Sequence, residues 1–175
     1  MATKRDFYDN GIIAKQFDST TWHAQSFTPV AGYVITEASV QASRQGSTAA
    51  TLTLELQGSS GGEPDGISLS SGTLSAVSIA GDYTFKKVAM TPYVLIDAIE
   101  YWLVCKWSLN SPNHSLLGAD NQDRYAGGIC LDTTNSGGLW TNADDDLCFE
   151  IWGNDVSIGG SSGMNAAMAL AAGMI

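Results

Sequence analysis

Positive charge is scarce in this chain: 8 Lys and Arg stand against 18 Asp and Glu, a formal net charge of -10. A surface so charged repels phosphate backbones, which argues against nucleic-acid binding as the main task. Proline is also scarce, with 4 residues against 19 glycines in 175. No apolar run approaches the ~20 residues of a membrane-spanning helix, so no span is expected. The opening MATKRDFYDNGIIAKQF lacks the long apolar core of a secretory signal. Three cysteines (Cys105, Cys130, Cys148) do not make a paired framework, and all fall in apolar segments. They read as buried free thiols of a protein made in a reducing cytoplasm. The only histidines, His23 and His114, have no metal-ligand partner at short spacing. The Gly-x-Ser-x-Gly strings at Gly58–Gly62 and Gly159–Gly163 read as flexible linkers by composition and not as a nucleophile elbow, and there is no phosphate-binding glycine motif. The acidic residues lie mostly in loops, and no constellation of catalytic groups emerges, so the chain is expected to be non-enzymatic.

What is present is a β-pattern. Leucines alternate with polar residues in Thr51-Leu52-Thr53-Leu54-Glu55-Leu56, and a strand apolar on both faces follows at Glu100 to Trp107. Further strands are expected at Thr21–Thr28, Tyr33–Ala42, Gly72–Ile79, Tyr83–Met90, Tyr93–Ile96, Ser115–Gly118, Ala126–Leu131 and Leu147–Trp152. Turn formers separate them, most densely in the expected loop Gly58–Gly66. With no helical period in this body, the pattern predicts an all-β fold: an antiparallel two-sheet jelly-roll β-sandwich over residues 21–153. Residues 1–20 read as an N-terminal arm. Residues 154–175 read as a Gly/Ser hinge followed by a short apolar tail.

Several short features occur in a distinctive order. They are an opening strand with Trp22, Ala24, Gln25, Ser26 and Phe27, a central Tyr101-Trp102-Leu103-Val104, then Tyr125-Ala126-Gly127-Gly128. Trp140 follows, and the closing Asp146, Leu147, Phe149 and Gly153 complete the set. Over about residues 20–153 the chain resembles the lectin-like jelly-roll modules common in phage virion proteins and in bacterial surface or secreted proteins. The resemblance implies a carbohydrate-binding-module-like domain without catalysis, and it carries over no ligand site.

Aromatics can stack on sugar faces, which makes Trp107, Tyr125 and Trp140 candidates for glycan contact, bracketed by Asn113, His114, Asn121 and Arg124. Asp144, Asp145 and Asp146 are the candidate ligands of a structural calcium, with a solvated acidic turn as the competing reading. No other cofactor is expected. In the tail, Met164 and Met168 fall at near-helical spacing, and Met164, Met168, Leu170, Met174 and Ile175 are the expected assembly contacts.

These features lead to the expectation of a virion structural protein: a capsid decoration, fibre or tail accessory subunit of a bacteriophage, homo-oligomeric and attached to other virion proteins. Surface-glycan adhesion is an added role. A carbohydrate-binding module of a cell-surface or secreted system is the alternative.

Overall fold

A computed structural model of the chain describes residues 1–11, 13–122 and 124–156. The strands are β1 (Thr3–Tyr8), β2 (Ile13–Phe17), β3 (Trp22–Phe27), β4 (Tyr33–Arg44), β5 (Thr51–Ser60), β6 (Glu63–Ser75), β7 (Thr84–Leu95) and β8 (Tyr101–Trp107). β9 (Ser115–Asp120), β10 (Cys130–Thr133), β11 (Thr141–Asn142), β12 (Asp146–Leu147) and β13 (Phe149–Asp155) complete them. One 3-10 turn, Ala76–Ser78, follows β6.

Period-two burial explains how these strands stack. In β5, Leu52, Leu54 and Leu56 are fully buried, while Thr53 and Glu55 are only half-buried. In β8, Leu103, Cys105 and Trp107 face the main core, with Phe17, Phe27, Ile35, Phe149 and Ile151 around them. The opposite face of β8 carries Trp102 and Val104, which belong to a second apolar cluster with Ala24, Leu131 and Trp140. That second cluster is why β8 is apolar on both sides.

The strands form two packed antiparallel sheets, a β-sandwich. The seven-stranded sheet is built on β4, which pairs with β7 along one edge. Along its other edge β4 pairs first with β13 and then, from Ala42 to Arg44, with β9. The six-stranded sheet has the order β11-β10-β3-β8-β5-β6. Between β3 and β10 the chain changes sheet at every connection except the β5–β6 hairpin, the winding of a jelly roll. That hairpin closes on Gly61 and Gly62, whose φ values of 65° and 82° give the two left-handed residues of a tight turn. The expected loop Gly58–Gly66 is thus mostly strand, because the paired glycines need only two residues to reverse the chain. β7 likewise runs unbroken through Pro92, where two separate strands were expected.

The first twenty residues differ from the expected arm. β1 pairs with β13 and β2 pairs with β9, so the segment forms one edge of the seven-stranded sheet in two halves. Phe17 is fully buried and Tyr8 and Ile13 pack on the core, the inward positions of edge strands, whereas Phe7 is exposed. Thr3 lies opposite Gly153, so the chain enters and leaves this sheet side by side.

Two seams close the sandwich. On one side β6 and β7 converge, where Ser70 Oγ donates to the Thr91 carbonyl at 2.5 Å and Thr91 Oγ1 donates to the Ser71 carbonyl at 3.3 Å. A Cβ at Gly72 would run into the Ala89 carbonyl there. On the other side β2 meets β3 and β10 through buried charged groups. Met164, Met168, Leu170, Met174 and Ile175 lie outside the described residues. Among those described, no helix is long and apolar enough to cross a membrane.

Candidate functional site

The outer face of the six-stranded sheet holds a cleft of about 330 Å³. That is the lower end of the range for small-molecule sites, about 300–1,000 Å³. Strand alternation builds its floor. Trp22 starts β3 facing outward, and Lys106 follows Cys105, which pairs with His23, so Lys106 lies beside Trp22. The Lys106 Nζ sits 4.5 Å from the centroid of the Trp22 ring and 2.8 Å from Glu55 Oε2. Gln57 Nε2 donates to Glu55 Oε1 at 2.5 Å, and Gln57 Oε1 accepts from the Gly66 amide at 2.9 Å. A continuous polar chain therefore crosses the floor from Trp22 to the β5–β6 hairpin.

That hairpin supplies one wall, through Pro64, Asp65 and Gly66. The other wall is the loop from Thr134 to Trp140. Ser136 donates its amide to the Thr20 carbonyl at 2.9 Å and its hydroxyl to the Ser19 carbonyl at 3.1 Å. Asn135 Oδ1 accepts from the Leu139 amide at 2.9 Å. Gly137, at φ 88°, lays its backbone against Trp22: a Cβ there would stand 3.2 Å from the ring. Only glycine enters this conformation without strain. The loop is held before any ligand arrives, and such order lowers the cost of binding. Both Glu55 oxygens are occupied, by Lys106 and Gln57. The floor is therefore an indole beside a fixed, internally paired set of charged and amide groups.

Of the residues expected to contact a glycan, Trp140 alone lines this cleft. It is 8% exposed and packed in the outer cluster, where a loop position had implied exposure. Trp107 faces the main core at 2% exposure and donates its Nε1 proton to the Asn113 carbonyl at 2.8 Å. Asn113 also accepts from the Ser47 amide through Oδ1 at 3.0 Å. Asn113 and His114 precede β9 whereas Asn121 and Arg124 follow it, so a strand roughly 20 Å long separates the pairs. The Tyr125 ring packs edge-on against Phe149 at 5.2 Å and lies 5.9 Å from Tyr8. The seven residues do not form one surface.

Trp22, Lys106, Gln57 and Asp65 were missed. Alternation carried the signal for two of them: Trp22 shares parity with Ala24 and Ser26, and Lys106 with Trp102 and Val104. Asp65 stood in the segment Gly58–Gly66 expected to be a loop, and the tight Gly61-Gly62 turn instead carries it onto β6 as a wall of the cleft.

The three consecutive aspartates do not converge as a calcium site. Asp144 is exposed in a left-handed turn at φ 52°. Asp145 binds Lys15, with Nζ 2.9 Å from Oδ1 and 2.8 Å from Oδ2. Asp146 is fully buried, accepting from the Tyr125 amide at 2.7 Å and from Gln25 Nε2 at 3.3 Å. Entry into β12 points successive side chains to opposite sides. Among the described residues no three His, Cys, Asp or Glu side chains are grouped to hold a metal ion.

Asp145 belongs instead to the charged seam. Lys15 Nζ also reaches Asp132 Oδ2 at 2.7 Å, and the other Asp132 oxygen lies 2.5 Å from His23 Nδ1. His23 Nε2 faces the Gln16 carbonyl at 2.8 Å. His23 is thereby held between β10 and β2 at both ring nitrogens. Burial alone would raise the Asp132 carboxyl, but His23 and Lys15 outweigh it and hold the group below its ordinary value. Burial lowers the Lys15 ammonium, yet its anionic neighbours leave it net raised. Burial pushes the Cys130 thiol well up, and that thiol hydrogen-bonds Asp145.

No protein-family model and no curated protein matches this chain.

Proposed function

We propose that this chain is a non-enzymatic virion structural subunit, a capsid decoration, fibre or tail accessory protein, that displays a lectin-like sandwich and holds a saccharide in the cleft over Trp22. The observation that carries the binding role is the cleft itself. It has a half-buried indole with a lysine at its face, a hydrogen-bonded Glu55–Gln57 floor and a pre-tethered loop wall. Sugars are bound by this combination of apolar ring and fixed polar groups.

The display role draws on the resemblance and on the placement of β1 and β13. Thr3 and Gly153 are neighbours in the seven-stranded sheet, whereas the cleft opens on the outer face of the other sheet. Attachment and recognition would then work from different faces.

Calorimetric titration of the protein with mono- and oligosaccharides tests the binding role. Binding that is lost on Trp22→Ala supports it, and no heat with any sugar overturns it. Light scattering tests the virion role: a stable trimer or larger complex supports it, while a strict monomer that still binds sugar moves the reading to a carbohydrate-binding module of a cell-surface or secreted system.

A further inference from the structure

The end of the sandwich where β13 finishes carries an apolar tip. Two loops build it, residues 28–32 before β4 and residues 96–100 before β8. The Ala98 amide donates to the Pro29 carbonyl at 2.9 Å, and a Cβ on Gly32 would stand 3.2 Å from the Leu95 carbonyl. The two loops therefore make one surface. Val30 is 98% exposed and Ile99 48%, and Ile96 is exposed in the same loop as Ile99. Val94, also exposed, continues the surface onto β7 opposite Val34. Asp97 is the only charged residue in 28–32 and 96–99, and Glu100 beyond it is engaged by the Ser59 hydroxyl. Branched apolar side chains gathered in this way mark a contact surface.

The chain leaves β13 beside this tip. Asp155, the last residue of β13, lies opposite Tyr33, and Tyr33 lies opposite Leu95. Val156 therefore follows a residue that is one position from the first loop and paired, through Tyr33, to the strand that enters the second. Residues 157–175 lie outside the described residues. Their sequence is a Gly/Ser-rich spacer, 157–163, and then twelve residues, 164–175, without a charged side chain. From this placement we infer that residues 164–175 dock on the tip of their own subunit, with the methionines against Val30, Ile96 and Ile99.

Reach, chemistry and concentration all favour this occupant. A spacer of seven residues extends at most roughly 25 Å, ample for loops that adjoin the exit point. An uncharged segment suits a surface whose one charge is Asp97, and unbranched methionines adapt to irregular apolar ground. A segment tethered by a short linker meets the tip at an effective concentration on the order of millimolar. Another copy of the chain at micromolar concentration does not compete with that. Docked there, the segment would keep free copies from associating through the tip.

Methyl NMR of the full chain with isotope-labelled methionines tests the docking. A nitroxide on Val30→Cys reports the tip, since Val30 is solvent-exposed and the three native cysteines are buried. It should broaden the methyl signals of Met164, Met168 and Met174. A nitroxide on Thr48→Cys, an exposed position past the far end of β4, should leave them sharp. Ile99→Asp in the tip, and Met168→Asp in the segment, separate docking from mere tethering. Docking predicts that either change cuts the remaining broadening several-fold, and broadening that both leave unchanged overturns the inference. Capture by a second copy is read from a mixture of nitroxide-bearing, unlabelled protein with methyl-labelled protein that has no nitroxide. Sharp methionine signals in that mixture support docking within one subunit, and broadened ones overturn it.

Discussion

Lys106 holds its ammonium 4.5 Å from the Trp22 ring while bonded to Glu55 at 2.8 Å. The carboxylate fixes the lysine, and the lysine in turn covers part of the indole. A cation–π contact at a half-exposed site is worth about 0.5–1 kcal/mol, enough to bias a ring orientation. The ring that a sugar would meet is thus positioned by a residue two strands from the hairpin wall.

Removing that ring should affect binding more than folding. Trp22 is half-buried and stands at the rim of the outer cluster, whereas Trp102 is at its centre. Trp22→Ala is expected to weaken saccharide affinity at least about tenfold, about 1.4 kcal/mol. Titration calorimetry with the best-binding sugar checks this, and circular dichroism should show an unchanged strand signal.

Gly72 marks the closest approach of the two sheets at the β6–β7 seam, where a Cβ would meet the Ala89 carbonyl and a Val88 methyl. The opposing atom is backbone and cannot rotate away. Gly72→Ala should destabilise the fold by about 1–3 kcal/mol, the usual cost of overpacking. The urea midpoint should fall with little change in slope.

Acid should weaken the protein. Burial raises Asp132 and Glu150, but His23 and Lys15 in the first case, and Lys4 and Trp152 in the second, bring both below their ordinary values of 3.8 and 4.5. Folded-state values below the unfolded ones mean that the native protein binds fewer protons, so this stability is present above the unfolded values and lost as pH falls through the folded ones. Asp6 acts oppositely, since burial outweighs Tyr33 and Arg5 and raises it. Burial raises Asp18 too, but hydrogen bonds from Thr21 and Thr20 outweigh it and leave the group lowered. With three groups against one, urea midpoints should drop below about pH 4, and Asp132→Asn should flatten that slope.

The thiols should be silent until the fold opens. Burial pushes Cys105 and Cys148 up to about 12, and Cys130 well up. The thiolate is the reactive form. Native protein should therefore react negligibly with a thiol reagent at neutral pH, and denatured protein should react at all three positions. Fast native labelling at any one would contradict this burial.

The alternation of leucines in β5 and the apolar run of β8 were enough to indicate two sheets and a central strand. What escaped was pairing at long range. Nothing local in residues 1–20 announces that Phe17 will be buried by β9, nearly a hundred residues later. Polar–aromatic composition also misled: strand parity puts Trp107 with Leu103 and Cys105 in the main core, and Trp140, in the loop before β11, packs into the outer cluster. The aspartate run showed the same limit, because three adjacent carboxylates entering a strand cannot all point one way.

The pairing of Thr3 with Gly153 has a mechanical side. A load applied between these two neighbours would pull on one end of an antiparallel ladder and break its hydrogen bonds singly, as a zipper opens. Force would strip β1 from Thr3 to Tyr8 at modest tension while leaving the rest of the sandwich closed. Peeling would then reach β2, where Lys15 is held by Asp132 and Asp145. Pulled between these two points, the domain would lengthen by a short stretch of chain, and the ion pairs of Lys15 would set where that lengthening stops.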